Sequence, residues 1–587
     1  MLTRFVASLG ATVAVTVLVL VSVAGQAEGP ATLTEQDVYR EIGYVPMKDG
    51  VELAYVTWRP KQEGRYPTIV SYSPYATNGV PFENVRPYLE HGYAYVGANI
   101  RGTSCSEGQY GLWHLLEGPD GAQLIEWAGT QLWSTGSVGM VGISYPGHMQ
   151  IMTAAQHPPH LKAIAAGGLT ASSYRDIWMP GGIFNVGMVG WWTFDAQPAS
   201  SGRAAEQRIQ WGDDRCAEIR LRQKPNPAWT EVQQHPLLDD WWKSRDLETI
   251  IGRVAVPTLI IHAWQDQETV SQGPPLLFKM LKAENKKMIL QSGGHGVGGR
   301  DINRAQEIRW MDRWLKGEDN GIDREPPVTV LWEVKDETGK ATPNWTTSYS
   351  NWPVPEVQRS TLYLTHDGKL SREMPAARSD NGVRSYLYPT GTEIIGNNVQ
   401  FAVTSRPIGL LSYQSEPMDE DTTILGLPQV TFHASSEQKD TDFMVTLHDI
   451  DAAGNVLFLQ RAVLRASLRA VDTARSTADQ IIHRFDKVEE LEPGRIYEFT
   501  LSLYTVGHVV RQGHRLELSI MAPTSIFQTD WGPLPLSLPS LNKVFHSPQY
   551  PSSLTLPVVP GAKAQAPSPS CGSLQYQPCR VAPKTTS

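Results

Sequence analysis

The chain has 587 residues, 51 Lys and Arg against 60 Asp and Glu, and a formal charge of -9. At about 150 residues per domain this is too long for one ordinary domain, so two or three are expected. Hydrophobic residues make up 41% and charged residues 19%; that supplies material for large cores and argues against a disordered chain, while mild acidity without a basic run argues against a nucleic-acid partner.

At the amino terminus Arg4 precedes an apolar stretch from Phe5 to Ala24, followed by the small residues around Gly25 and Ala27. Residues 1–27 read as a secretory signal, with an uncleaved anchor helix as the alternative. No later segment is apolar enough to span a bilayer.

Residues 35–170 alternate short β-rich runs (Val51–Trp58, Thr68–Tyr72, Tyr93–Ile100, Val138–Ile143) with helical stretches such as Gly121–Gln131. This alternation predicts a parallel sheet covered on both faces, an α/β core. It resumes over 254–326, with Pro257–Ala263, Lys287–Leu290 and a helix around Ala305–Leu315. Between the halves, residues 171–253 are rich in Trp, Pro and charge without a strand period, and are expected to form a helical cap inserted over the sheet edge. Residues 327–562 show many short strand-like runs parted by turns, predicting an all-β sandwich or jelly roll. The tail, 563–587, is rich in Pro, Ser, Ala and Gln and reads as disordered apart from any disulfide.

The four cysteines allow three pairings. Cys571 and Cys579 lie close together and could close a small loop, which leaves Cys105 and Cys216 as the other pair, with free buried thiols as the alternative. No spacing suggests a metal site, since His157-Pro-Pro-His160 reads as a surface turn, and no cofactor is implied. Asn344-Trp-Thr346 fits a glycosylation acceptor.

The strongest chemical signal is Val138-Gly-Met-Val-Gly142-Ile-Ser144-Tyr145-Pro146-Gly147-His148. A strand enters a sharp turn bearing a serine, and a helix follows with Pro in its first turn, the arrangement of a nucleophile elbow. Gly102-Thr-Ser104 also follows a strand and is a decoy. In an α/β-hydrolase the acid and then the histidine follow the nucleophile in the chain. Asp266 lies just past the strand PTLIIHA, with Glu268 as the alternative acid, and His295 is the sole histidine between Asp266 and Pro326. Serine needs a base within hydrogen-bond reach; His295 would supply it, and Asp266 would fix the imidazole tautomer.

The elbow GISYPG resembles the motif of the cocaine esterase / X-Pro dipeptidyl-peptidase (CocE/NonD) family of serine hydrolases. Ile125-Glu126-Trp127 with Gln131-Leu-Trp133, Asp312-Arg-Trp-Leu-Lys-Gly, Asp440-Thr-Asp442-Phe, Leu464-Arg465-Ala and Gly513-His514-Arg515-Leu are similar to other stretches of that family. The resemblance implies an α/β-hydrolase core, a helical cap and a carboxyl-terminal jelly roll of galactose-binding-like type. It also implies an oxyanion hole from the Tyr145 backbone N–H and the Tyr75 hydroxyl. Asn99 stands where the family often has Asp. The carboxylate cluster of members that cleave α-amino acid esters looks incomplete: Glu268 matches, but Thr269 follows and the cap offers Gly181-Gly182 where an acid is wanted. Glu268 and Trp178 are the expected substrate-binding residues.

These readings converge on a secreted or periplasmic serine hydrolase that cleaves small ester or amide substrates through an acyl-enzyme. X-Pro dipeptidyl-peptidase or α-amino acid ester hydrolase activity is the alternative within that class. From another class, a catalytically inactive secreted carbohydrate-binding protein is the competitor. No stable membrane partner is implied, and a homodimer is compatible by analogy with the family.

Overall fold

The computed structural model describes residues 33–296, 301–337, 340–388, 409–523, 539–574 and 576–581; the expected signal, 1–27, lies outside them. Twelve strands come first in the chain: β1 Val38–Pro46, β2 Glu52–Pro60, β3 Tyr66–Ser73, β4 Ala94–Asn99, β5 Ser134–Ile143, β6 Leu161–Gly167, β7 Thr258–Ala263, β8 Lys286–Gln291, β9 Val328–Trp332, β10 Lys335–Glu337, β11 Lys340–Thr342 and β12 Trp345–Tyr349. Ten of them form one sheet in the order β1-β2-β4-β3-β5-β6-β7-β8-β9-β12. From β4 through β9 every neighbour is parallel, with antiparallel strands at both ends. The central strands are buried on both faces, which is why β7, TLIIHA, is mostly apolar, with Thr258 and His262 its two polar residues.

This sheet runs past the expected boundary at Pro326. β9 pairs in parallel with β8, Met288 opposite Val328, and β12 adds antiparallel to β9. Val328–Trp332, which falls inside the expected β-region 327–562, is therefore a strand of the α/β sheet. Strand period identifies a strand but not the sheet it joins.

The stretch between β6 and β7 is helical, from Tyr174–Trp178 through Val186–Trp191, Gln197–Gln210, Asp214–Arg220 and Ala228–Gln234 to Asp240–Lys243. Two devices tie it to the core. Cys105 and Cys216 form a disulfide across 111 residues of sequence, a long closed loop that restricts the unfolded chain. Arg208, fully buried, donates to Asp213 at 2.8 Å and to the backbone carbonyl of Tyr55; a buried charge is tolerated when paired in this way.

The carboxyl-terminal unit is all-β. Its strands include Gln358–Leu364, Gln429–Ser435, Asp442–Ile450, Val456–Arg465, Arg515–Met521 and Ser553–Val558 in one large sheet that folds around Phe432, Phe443 and Phe499. The strand Val456–Arg465 faces both the cap and the core. A Cβ on Gly181 would lie 2.1 Å from the Val463 carbonyl oxygen, so this cap position must be glycine for the two units to meet. Gln460 Nε2 donates to the Trp264 carbonyl at 2.7 Å, and Gln265 Nε2 to the Leu459 carbonyl at 3.2 Å.

The tail departs from the disorder its composition predicts. Cys571 and Cys579 are bridged, Cys579–Arg580 adds a short strand beside Val456–Leu457, and Gln577 is buried. The Tyr576 ring lies against Gly294, one residue before His295. A nearby disulfide and an open strand edge supply the order that this composition lacks by itself. Among the described residues no helix is long and apolar enough to cross a membrane.

Candidate active site

Four loops at the carboxyl end of the parallel strands converge. Those after β3, β5, β7 and β8 carry Tyr75, Ser144, Asp266 and His295, respectively. Ser144 has φ 67° and ψ -130° and caps the helix Tyr145–Ala154, with Pro146 in its first turn. Left-handed backbone on a non-glycine residue is costly and persists where surrounding structure enforces it. Here the Ser144 N–H donates to the Gly167 carbonyl at 2.9 Å, and the Ser144 carbonyl accepts from His148 N at 3.0 Å. Gly168 shows how tightly the site closes: a Cβ there would sit 3.0 Å from Ser144 N and 3.1 Å from His295 Cε1. The histidine ring thus lies beside the elbow.

His295 Nδ1 lies 3.0 and 2.9 Å from the two Asp266 oxygens, and its backbone N–H donates to Gln267 Oε1 at 3.1 Å. Asp266 is itself held by the N–H groups of Glu268 (2.9 Å) and Thr269 (2.8 Å) on Oδ1 and by the Thr269 hydroxyl (2.9 Å) on Oδ2. Burial works against its charge, but the imidazolium and these donors win and lower its pKa to about 2. The other ring nitrogen, Nε2, faces Glu268 Oε2 at 3.3 Å. Burial disfavours the charged ring, yet Asp266 and then Glu268 outweigh it and raise His295 to about 9. Burial lifts the Glu268 carboxyl above its ordinary range.

The Tyr75 hydroxyl is 3.3 Å from Ser144 Oγ and also faces the Tyr145 N–H. Its loop is pinned by Asn99, whose Nδ2 donates to the Tyr75 carbonyl at 2.6 Å while Oδ1 accepts from Asn78 N at 2.9 Å. The amide of Asn99 makes bonds that a carboxylate there could only half supply. Arg101 instead pairs with Asp120 and Asp49. Burial raises the Tyr75 phenol well above its usual range, so it stays a donor at any working pH.

The Tyr145 ring points inward, away from Ser144 Oγ. Its hydroxyl bonds the Glu117 carboxylate at 2.8 and 3.0 Å and accepts from Trp113 N at 2.6 Å. Burial pushes Glu117 up to about 8 despite the Tyr145 hydrogen bond. His148 is the other histidine near the elbow; burial drops its pKa to about 4, and its ring bonds the Ser144 carbonyl and the Thr170 hydroxyl, each at 2.8 Å. Both of its nitrogens are occupied, so it offers Ser144 no base.

Trp178, expected at the substrate surface, is 1% exposed and packs against Trp113 at 5.3 Å between ring centroids. A tryptophan-rich insertion suggests a lined pocket, but this ring is spent on the junction between cap and core. Trp192 comes closer to the site, edge-on to Tyr75 at 5.5 Å and stacked on Tyr145 at 6.0 Å. Asn99 and Thr269 stand out only as departures from the family's pattern, and Glu117 and Trp192 carry no local motif that would mark them in advance.

The fold and site together define an α/β-hydrolase with an inserted cap and a carboxyl-terminal all-β domain. Residues 49–297 match the family described as X-Pro dipeptidyl-peptidase (S15 family), and residues 320–555 the X-Pro dipeptidyl-peptidase C-terminal non-catalytic domain. A cocaine esterase of Rhodococcus sp. (strain MB1 Bresler) is 25% identical over 589 residues, covering 88% of this chain and 97% of that one. Among solved structures, a CocE/NonD family hydrolase from Staphylococcus aureus superposes with a TM-score of 0.74 at 23% identity, covering 89% of this chain and 94% of that chain. An α-amino acid ester hydrolase superposes at 0.71 with 20% identity, covering 92% of this chain and 100% of that chain. The chain belongs to the cocaine esterase / X-Pro dipeptidyl-peptidase (CocE/NonD) family and is a serine hydrolase.

Proposed function

We propose that the protein cleaves carboxylic esters or amides through an acyl-enzyme on Ser144, with His295 as base, Asp266 as its partner, and Tyr75 with the Tyr145 N–H as the oxyanion hole. The observation that carries this reading is the neighbourhood of Ser144: the Tyr75 hydroxyl lies 3.3 Å from its Oγ, and the ring of His295, bound through Nδ1 to Asp266, lies beside the same elbow. Ser144 Oγ attacks the substrate carbonyl while its proton passes to His295 Nε2. The oxyanion forms against Tyr75 and the Tyr145 N–H. Collapse breaks the bond to the leaving group, which takes the proton back from His295. Water then repeats the sequence and frees the acid. The two disulfides support export to an oxidising compartment.

Tyr75→Phe tests the oxyanion role. Losing one such donor typically costs about 10²–10³ in kcat. KM is expected to move little, because the donor matters as charge develops. Steady-state kinetics beside a melting curve decide it, and native kcat in Tyr75→Phe would send the role elsewhere in the Ser71–Thr77 loop.

Acyl esterase chemistry is the favoured form. One observation favours the second reading, dipeptidyl-peptidase or α-amino acid ester hydrolase: Glu268 places a half-buried carboxylate 3.3 Å from His295 Nε2, where a substrate ammonium could be met. No second acid joins it from Gly181-Gly182, which pack on the β-domain at Val463 and Leu468. A panel of p-nitrophenyl acyl esters alongside Gly-Pro and Ala-Pro anilides separates the two.

Glu268 also sets a pH dependence. The base must be neutral, so kcat/KM rises with pH through the His295 pKa, which the two carboxylates hold near 9. Removing a negative charge disfavours the imidazolium and lowers that pKa. Glu268→Gln is therefore expected to move the acidic limb of the kcat/KM profile to lower pH, measured with an uncharged ester. A limb that stays in place means that Glu268 does not act on His295.

A further inference from the structure

A cleft of about 310 Å³ opens beyond the carboxyl end of β4, between the Gly102 loop and the cap. Its lining includes Tyr110, Phe194, Gln197, Arg220 and Lys224. The walls are built and fastened. The Cys105–Cys216 disulfide crosses beneath them, and Gln223 Nε2 donates to the carbonyls of Ser104 (2.8 Å) and Ser106 (2.9 Å). Asn226 Nδ2 donates to Gln197 Oε1 at 3.2 Å.

The charge in this cleft is unbalanced. Three buried arginines elsewhere have carboxylate partners: Arg175 with Glu248, Arg208 with Asp213, Arg465 with Asp442. Arg220 is half-buried, and burial lowers its guanidinium pKa, which marks a desolvated cation. It donates to the neutral Gln223 Oε1 at 2.6 Å. Among the described residues neither it nor Lys224 forms an ion pair within 4.0 Å. Arg220 is thus a partly desolvated cation without a carboxylate, with the exposed Lys224 beside it, and this wall is complementary to an anion.

Position says which part of a substrate would bring one. The sheet order β4-β3-β5 sets the Gly102 loop, the Tyr75 loop and Ser144 side by side on one edge. Strands β4 and β5, which lead into the Gly102 loop and Ser144, lie two strand spacings apart, about 10 Å. The Tyr110 ring stands 6.1 Å from the Tyr145 ring, and Thr193 and Phe194 of the cleft directly follow Trp192, which abuts Tyr75. His295, which protonates the leaving group, follows β8, on the opposite side of β5. The leaving group therefore lies toward β8 and the acyl arm toward β4.

We propose that this cleft is an acyl-side subsite for a carboxylate. The preferred substrates are then esters or amides whose acyl arm ends in a carboxylate about 10 Å from the scissile carbonyl, with the exposed Phe194 ring beside the arm. The proposal rests on the Ser144 reading above.

The test uses the full chain and two p-nitrophenyl esters of azelaic acid, one with the far carboxylate free and one with it methylated. A charge-assisted contact is expected to favour the free carboxylate by about tenfold to a hundredfold in kcat/KM. In Arg220→Gln/Lys224→Gln that ratio is expected to fall to near one, through KM. Lys224→Gln alone, at an exposed position, is expected to lower it in part and guards against misfolding of the double variant. A ratio near one in the native protein, or one that survives in the double variant, overturns the proposal. Fluorophosphonate labelling of Ser144 tests the underlying reading separately. If labelling fails, calorimetric titration of the protein with azelate monoamide decides the subsite alone: binding that the double variant loses supports it, and no binding overturns it.

Discussion

Replacing Ser144 by alanine is expected to lower kcat by about 10⁶, the cost of losing the nucleophile where nucleophile and base act as a unit. The fold is expected to survive. Alanine keeps the Cβ, and the unusual φ of 67° is enforced by backbone hydrogen bonds to Gly167 and from His148 rather than by the hydroxyl. The substitution removes the 3.3 Å approach of the serine hydroxyl to Tyr75, so the melting temperature should stay near native. Two measurements check this: turnover of a p-nitrophenyl ester, and mass spectrometry after fluorophosphonate treatment, with one adduct on the native chain and none on Ser144→Ala. Activity within about tenfold of native rejects the assignment. The competing reading, a carbohydrate-binding protein with an inert core, is restored if the native chain neither turns the ester over nor takes the label.

Much of this site was legible in the residues because the elbow has a local cause. A strand, a tight turn, a serine and a helix opening on Pro146 are consecutive in sequence, and the structure joins them in that order. Chain order then led to Asp266 and His295, which meet at 2.9 Å. The cysteines paired as proximity and remainder suggested. What sequence could not show is decided by packing between distant segments. Trp178 lies in a cap dense with tryptophans, and nothing local distinguishes a ring that lines a pocket from one buried against Trp113. Val328–Trp332 has strand period but pairs with β8. The tail is rich in Pro, Ser, Ala and Gln, yet the disulfide and the edge at Val456–Leu457 hold it. Glu117 and Asn99 brace Tyr145 and Tyr75 from elements 28 and 24 residues away, and no short motif contains both partners.

Asp266→Asn is expected to cost about 10⁴ in kcat while leaving the site's shape intact. The hydrogen bonds around the carboxylate give the reason. Oδ1 accepts from the N–H groups of Glu268 and Thr269 at 2.9 and 2.8 Å. In the asparagine these donors hold the carbonyl oxygen at that position, which puts the amide NH₂ where Oδ2 now faces His295 Nδ1 at 2.9 Å. An amide N–H there can only donate and competes with the Nδ1–H bond to the oxygen at the Oδ1 position, 3.0 Å away; where the amide wins, Nδ1 accepts and the ring proton moves to Nε2. The base then presents a proton to Ser144 instead of a lone pair, and attack stalls. Geometry should hold, because the β-domain secures this loop from behind, with Gln460 Nε2 on the Trp264 carbonyl at 2.7 Å and Ser271 Oγ on the Thr505 carbonyl at 2.8 Å. Glu268→Gln makes the decisive comparison. Glu268 lies 3.3 Å from Nε2 and not on Nδ1, so its removal should shift the pH profile with a far smaller loss of plateau kcat. Plateau kcat for both variants, taken above the acidic limb, settles the assignment: if Glu268→Gln is the more damaged enzyme, Glu268 and not Asp266 is the acid.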